Sequence, residues 1–355
     1  MPSLVCSTRT RFRHFFLVVR MRFHSLLLLA LCCLMPVSAW SRLRVLPGQE
    51  NIRGMAEESK FVFRGQVVGL ELSKNEPGDR KGVAIIAADR WYKSTGRLSN
   101  SSRVRVQFAY TSWLQGHDCE DLVLESYWVV FGRQGDNGEI ELVHDCYGAL
   151  PVASLLSPQF SGDLLSRLEL DFRAGLEDSN PNSRLASIQR LAGLGLPASR
   201  DALHDVIKNG SEIESRWALF AALQTGDISV MPRTVPILLN LRHNEPAPYD
   251  QPQGLIALAL EKLRSPEAVP ELIEILNKAP DDLVRSCVSH ALMEIKDPRA
   301  LEALAVHLSD TSQYVRYNSL IGMGYITHAP ECTITKPEEA EKAESLCKSW
   351  WESKK

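Results

Sequence analysis

The tripeptide His-Asp-Cys occurs twice in the chain, as His117-Asp118-Cys119 and His144-Asp145-Cys146, and these are the residues whose types could do chemistry together. Residues two apart on an extended strand point to one face, so each tripeptide would present its His and Cys side by side. Two chemistries fit. In an oxidising compartment Cys119 and Cys146 pair as a disulfide; alternatively His117, Cys119, His144 and Cys146 supply the two nitrogens and two sulfurs of a tetrahedral zinc site. Structural zinc sites commonly use C-x-x-C knuckles and exported cysteines are usually oxidised, so the bridge is expected, with no metal and no other cofactor. The sequence has no G-x-S-x-G elbow, no phosphate-binding glycine loop and no H-E-x-x-H helix, so no catalytic residue is assigned and no enzyme is expected. His290 and His307 lie among apolar helical residues, where a hydrogen-bonded structural role is expected.

The elements that must position such residues announce themselves in the C-terminal half. Arg184-Leu-Ala, Arg216-Trp-Ala, Gln253-Gly-Leu, Arg285-Ser-Cys and Arg316-Tyr-Asn open similar segments, at steps of 32, 37, 32 and 31 residues. Six and seven residues on stand Arg190/Leu191, Ala222/Leu223, Ala259/Leu260, Ala291/Leu292 and Gly322/Met323, so small and apolar residues recur at helical spacing. A unit of this length with two helices cannot bury its own apolar face, and neighbouring units must stack into a solenoid.

Between these helices lies a second set, introduced by Pro266 and Pro298, each suited to a helix's first turn where its missing N–H costs nothing. Asp297-Pro-Arg-Ala-Leu301 followed by Tyr314-Val-Arg316 resembles HEAT repeats, in particular short bacterial HEAT-like units, and the resemblance spans about residues 164–326. It implies a protein-binding surface. Some HEAT-like proteins are di-iron hydroxylases with repeated His-Glu pairs, and this chain contains no His-Glu dipeptide.

The arginines at 184, 216, 285 and 316 could form a basic ladder for a ligand, but the structural alternative is favoured: an Arg at a helix start bonds an acidic residue of a neighbouring turn, such as Asp282 or Asp310. The lengthened step of 37 residues contains 244–252, where Pro246, Pro248, Tyr249 and Asp250 are candidate partner contacts on one edge of the stack. At the chain end Thr335, Pro337 and Glu338 read as a helix start, and Ala340, Ala343, Cys347 and Trp350 share one helical face that would cap the last unit. Cys332 and Cys347 are expected to pin that cap as a disulfide, and Cys287 reads as a small buried hydrophobe.

The N-terminal half has strand periodicity. Runs at 61–68, 83–86, 103–110, 127–131 and 140–143 are rich in β-branched and aromatic residues. Val104, Val106, Phe108 and Tyr110 alternate with Arg103, Arg105 and Gln107, predicting one buried and one solvated face. Asp136-Asn137-Gly138 predicts a hairpin between the fourth and fifth runs, and five such strands suit an OB-like barrel. Phe63-Arg-Gly-Gln-Val67, Trp91-Tyr-Lys93, the run at 127–131 and Cys146 resemble the netrin-like fold of tissue inhibitors of metalloproteinases over about residues 52–155. Inhibitors of that family chelate the protease zinc through an N-terminal cysteine, and no cysteine lies between residues 40 and 118, so no inhibitory residue carries over.

Residues 21–39 read as a secretory signal, with a basic start, an apolar run at 26–35 too short to span a bilayer, and Val37-Ser-Ala39 before Trp40. Removing residues 1–39 takes away five of the 40 basic residues and none of the 43 acidic ones, leaving a net charge of −8. An acidic exported protein disfavours nucleic-acid binding by charge neutralisation, and no membrane span remains after cleavage. The expected class is α+β: a signal segment at 1–39, an antiparallel OB-like barrel at 40–160, an all-α HEAT-like solenoid at 161–330 and a capping helix at 331–355. The expected function is an exported protein-interaction scaffold using a concave or edge surface of the solenoid. A secreted or periplasmic modulator of a hydrolase, acting through barrel loops, is the alternative and an enzyme the third.

Overall fold

The computed structural model describes residues 51–72, 79–94, 102–111, 122–135, 138–144, 148–241, 252–334 and 339–355, and all of them fall in one compact unit. A short helix, α1 (Ile52–Glu58), is capped by the Asn51 side chain, which accepts from the Gly54 N–H, and precedes six strands. These are β1 (Phe61–Leu72), β2 (Asp79–Lys93), β3 (Arg103–Thr111), β4 (Tyr127–Gln134), β5 (Ile140–Leu142) and β6 (Ala149–Val152). The neighbours run β1-β2-β3-β5-β4 and β4 pairs back onto β1, closing a five-strand barrel of the OB-like kind. Every pair in the circuit is antiparallel except β3–β5, which is parallel, so the barrel is mixed. The short β6 adds to β4 outside the circuit.

Closure requires β1 to serve two partners, and it bends at three register shifts against β2. At one of them Gly65 approaches β2 so closely that a Cβ would lie 2.3 Å from the Ala87 carbonyl oxygen, which explains the glycine. The interior is filled by Phe63, Val67, Ile86, Val104, Val106, Phe108, Trp128, Val130, Ile140 and Leu142. The predicted alternation in β3 holds at Val104, Val106 and Phe108, with Arg105 outside on Glu71 and Glu139; Tyr110's side chain lies outside the described set. The hairpin expected from Asp136-Asn137-Gly138 forms between β4 and β5, and Gly138 has φ +77°, in the left-handed region that glycine tolerates.

The helical half comprises α2 (Leu164–Ala174), α3 (Pro181–Leu194), α4 (Pro197–Asn209), α5 (Glu212–Gln224), α6 (Met231–Leu239), α7 (Pro252–Leu260), α8 (Val269–Lys278), α9 (Asp282–Ile295), α10 (Leu301–His307), α11 (Gln313–Thr327) and α12 (Ala340–Glu352). Helices α3, α5, α7, α9 and α11 pack consecutively to form one layer, while α6, α8 and α10 follow one another in the second. The small residues of the recurrence explain the close stacking: Ala222, Ala259 and Ala291 are fully buried, and a Cβ on Gly322 would press on the Met293 backbone. Left-handed C-caps at Gly195, Lys296 and His328 turn the chain from one layer to the other.

Barrel and solenoid share a buried polar seam. Asp171 of α2 accepts hydrogen bonds from Arg90, from the Tyr92 hydroxyl at 2.5 Å and from the Ser157 N–H at 2.9 Å. Arg64, 1% exposed, pairs with Asp89 and donates to the carbonyls of Ala153 and Ser154 at 2.6 and 2.7 Å. Arg167 of α2 donates to the Tyr92 carbonyl at 2.7 Å, and Phe160 lies under the guanidinium groups of Arg90 and Arg167. Burial, with the Asp171 carboxylate beside it, pushes the Tyr92 hydroxyl well above its ordinary value, so it remains a proton donor rather than a base.

Candidate interaction surface

The recurring arginines resolve into a structural ladder. Arg285 forks onto both Asp310 oxygens at 2.9 and 3.0 Å and donates to the carbonyls of Ala279 and Pro280, six and five residues back. Arg316 repeats the arrangement with Glu344 and the carbonyls of Asp310 and Thr311, and Arg184 with Glu214 and those of Asp178 and Ser179. Each guanidinium therefore ties its own helix entry to the next unit through its Nε and Nη1 donors. Arg216 departs from the rule and pairs with Glu212 one turn back on its own helix. His307 belongs to the same cluster, 2.9 Å from Asp310 and 3.3 Å from Asn277, the structural role expected of it. His290 makes no hydrogen bond among the described residues; its Nδ1 stands 3.5 Å from Glu261.

The cap is built as the C-terminal residues suggested. Cys332 and Cys347 form a disulfide, Ala343 is buried beside it, and Glu344 takes Arg316 from the last repeat. The start expected at Thr335 lies outside the described residues. Closing a chain segment of 15 residues, the bridge stabilises the fold by about 3 kcal/mol. Reduction, or a Cys347→Ser substitution, is expected to remove that contribution, read as a lowered thermal midpoint by circular dichroism; an unchanged midpoint would refute it.

Of the first candidate set, His117, Cys119 and Cys146 lie outside the described residues. His144 does not occupy an extended strand as its tripeptide suggested, because β5 ends at Leu142 and His144 turns at φ 55° to face Glu58, 3.0 Å away. Among the described residues no group of three His, Cys, Asp or Glu is placed to hold a metal. Pro246, Pro248, Tyr249 and Asp250 also lie outside them.

The feature that sequence reading passed over is an aromatic stripe. Tyr314, Tyr317, Ile321 and Tyr325 follow one face of α11, and the tyrosines are 75, 41 and 46% exposed. Helix α11 packs against α9 in a fixed register. Asn318 pins this register by donating to the Ser286 carbonyl and the Ser289 hydroxyl, both at 3.1 Å. Lys296 sits 4.5 Å from the Tyr325 ring. At the same offsets α5 and its C-cap carry Glu214, Trp217, Ala221 and Thr225 and α9 carries Leu283, Ser286, His290 and Glu294, so neither sets three aromatic residues on this face. Exposed tyrosines give large rigid contact area with a polar tip, the chemistry of protein interfaces.

Residues 235–324 match the HEAT-repeat family. This runs from the end of α6 into α11, and HEAT repeats generally serve as protein-interaction scaffolds. No match is found among curated proteins. Among the described residues no helix is long and apolar enough to cross a membrane.

Proposed function

We propose that this protein is an exported, non-enzymatic scaffold that binds another protein through the exposed face of its solenoid. The observation that carries the reading is the tyrosine stripe on α11, set on a HEAT-repeat frame in which Arg184, Arg285 and Arg316 tie one unit to the next. Tyrosine anchors of this kind contribute about 1–2 kcal/mol each to an interface. Export rests on the apolar run and small residues before Trp40, and the mature N-terminus of envelope-derived protein, expected at Trp40, tests it by Edman sequencing.

A full-length chain used as bait in an envelope extract is expected to retain a partner that Tyr314→Ala with Tyr317→Ala weakens by at least about tenfold, with unchanged circular dichroism. A second reading, modulation of a hydrolase by the barrel, is favoured by the exposed apolar edge of Val68, Val123 and Leu124, held together by the Glu125 N–H on the Val67 carbonyl. If capture survives the tyrosine changes but is lost with Val123→Asp and Leu124→Asp, the barrel reading replaces the solenoid one.

A further inference from the structure

Where the first two repeats meet, the stack departs from its own rule. In later units the second helix is entered by a three-residue 3-10 turn, at Ile228–Val230, Pro266–Ala268 and Pro298–Ala300, whose last residue is a buried Val230, Ala268 or Ala300. In the first unit α4 begins directly at Pro197. The equivalent of those apolar residues is Ser199, 1% exposed, and the next position, Met231 or Val269 elsewhere and buried, is Arg200. The Arg200 side chain turns outward to a 57% exposed position, and a cleft of about 470 Å³ opens, lined by Leu191, Leu203, Ser199, Arg200, Gln224 and Thr225 among others.

This cleft holds unspent hydrogen-bonding capacity. Among the described residues the Ser199 hydroxyl and both amide atoms of Gln224 are buried without a partner, whereas buried polar groups are ordinarily paired. Arg200 makes no hydrogen bond among the described residues: its nearest acid, Asp227, stands 3.7 Å away and is already engaged by His204 at 2.7 Å and by the Ser229 hydroxyl at 2.6 Å. Burial opposes ionisation of Asp227, but the hydrogen bonds from Ser229 and His204 hold its carboxyl below the usual range, so Asp227 stays an anion committed to those neighbours. His204, Asp227 and Ser229 are not a catalytic relay, since the serine hydroxyl donates to the carboxylate and its 3.4 Å contact with the imidazole falls on Nε2, the same nitrogen that meets Asp227.

We propose that this cleft receives an acidic peptide segment of the partner: a main-chain amide meets the donor and acceptor of Gln224 and the Ser199 hydroxyl, and a neighbouring carboxylate meets Arg200. An amide is the group that satisfies a carboxamide's donor and acceptor together, and a guanidinium with free donors selects a carboxylate. The inference rests on the protein-binding reading and adds a second contact to it, at the opposite end of the stack from the tyrosines.

The test uses the purified full chain and the probe acetyl-Gly-Asp-amide, followed by NMR at the backbone amides of Gly193, Gly195 and Thr225. Saturable shifts with a dissociation constant on the order of millimolar are expected, weakened about tenfold when the probe carries Asn in place of Asp or the protein carries Arg200→Gln. Ser199→Ala restores the residue type of the other units, so it is expected to raise the thermal midpoint while weakening the probe about tenfold. Absence of saturable shifts, or equal affinity in Ser199→Ala and Gln224→Ala, overturns the proposal. Probe binding that persists in the Tyr314→Ala, Tyr317→Ala protein separates this site from the tyrosine surface, whose failure shows in the capture experiment alone.

Discussion

Replacing Asp171 with alanine is expected to destabilise the protein by about 3–5 kcal/mol, because the substitution leaves buried donors without their acceptor. Asp171 is 4% exposed and gathers Arg90, the Tyr92 hydroxyl and the Ser157 N–H from the barrel and the strap that follows β6. With the carboxylate gone, the buried Tyr92 hydroxyl loses its acceptor, and Arg90 keeps the Ser157 carbonyl and the Phe160 ring but no counter-charge at this site. A drop of this size corresponds to roughly 6–20 °C in the thermal midpoint. The measurement is chemical unfolding followed by tryptophan fluorescence, which reports the barrel through Trp91 and Trp128 and the helices through Trp217, Trp350 and Trp351, and by far-UV circular dichroism, which is dominated by the helices. A loss below about 1 kcal/mol would mean that the seam is peripheral to stability. The double variant with Arg90→Met should recover part of the loss, since it removes the uncompensated charge along with its partner.

The ladder carries the second large effect. Arg285→Ala is expected to cost about 3–5 kcal/mol, through the loss of a bidentate pair and two carbonyl contacts at a site where Asp310 is 6% exposed. Burial by itself would raise the Asp310 carboxyl, but the Arg285 guanidinium, the Ser312 N–H and His307 outweigh it and hold the carboxyl down to about 2. A carboxyl depressed on folding contributes stability that is fully present above its unfolded value of 3.8 and is lost as pH falls through about 2. The contribution from this group is about 2 kcal/mol at neutral pH. Asp310→Asn should therefore flatten the acid limb of the stability curve between about pH 4 and 2, in addition to lowering the plateau. An acid limb identical to the parent's would locate the acid sensitivity elsewhere.

The repeat architecture was legible because a solenoid writes its packing into the chain at fixed intervals. Arg184, Arg285 and Arg316 recur where each must reach the next unit, and the expectation that they serve structure agrees with their geometry. The strands of the barrel were legible for a related reason, since β3 buries alternate residues and β4 and β5 are joined by a turn sequence. Helix α1 and strand β6 were missed. The first is seven residues long, and the second contains Pro151 in a four-residue run, so neither carries enough periods to rise above its neighbours. The second His-Asp-Cys tripeptide misled at His144 because its reading assumed an extended strand, while the chain had already left β5.

The sequence by itself determined the two kinds of secondary structure and the stacking of the helical half, because each depends on local periodicity; it offered Cys332 with Cys347 as one of several pairings, and the tertiary structure selected it. Only the tertiary structure decided that Asp171 belongs to Arg90, 81 residues earlier in the chain, and that barrel and solenoid join through buried charge. It alone showed that Ser199 and Gln224 lie unpaired against one cleft and that the tyrosines of α11 face outward rather than into the stack. Hydrogen-bond satisfaction and exposure are properties of the surroundings, and residues distant in the chain supply those surroundings.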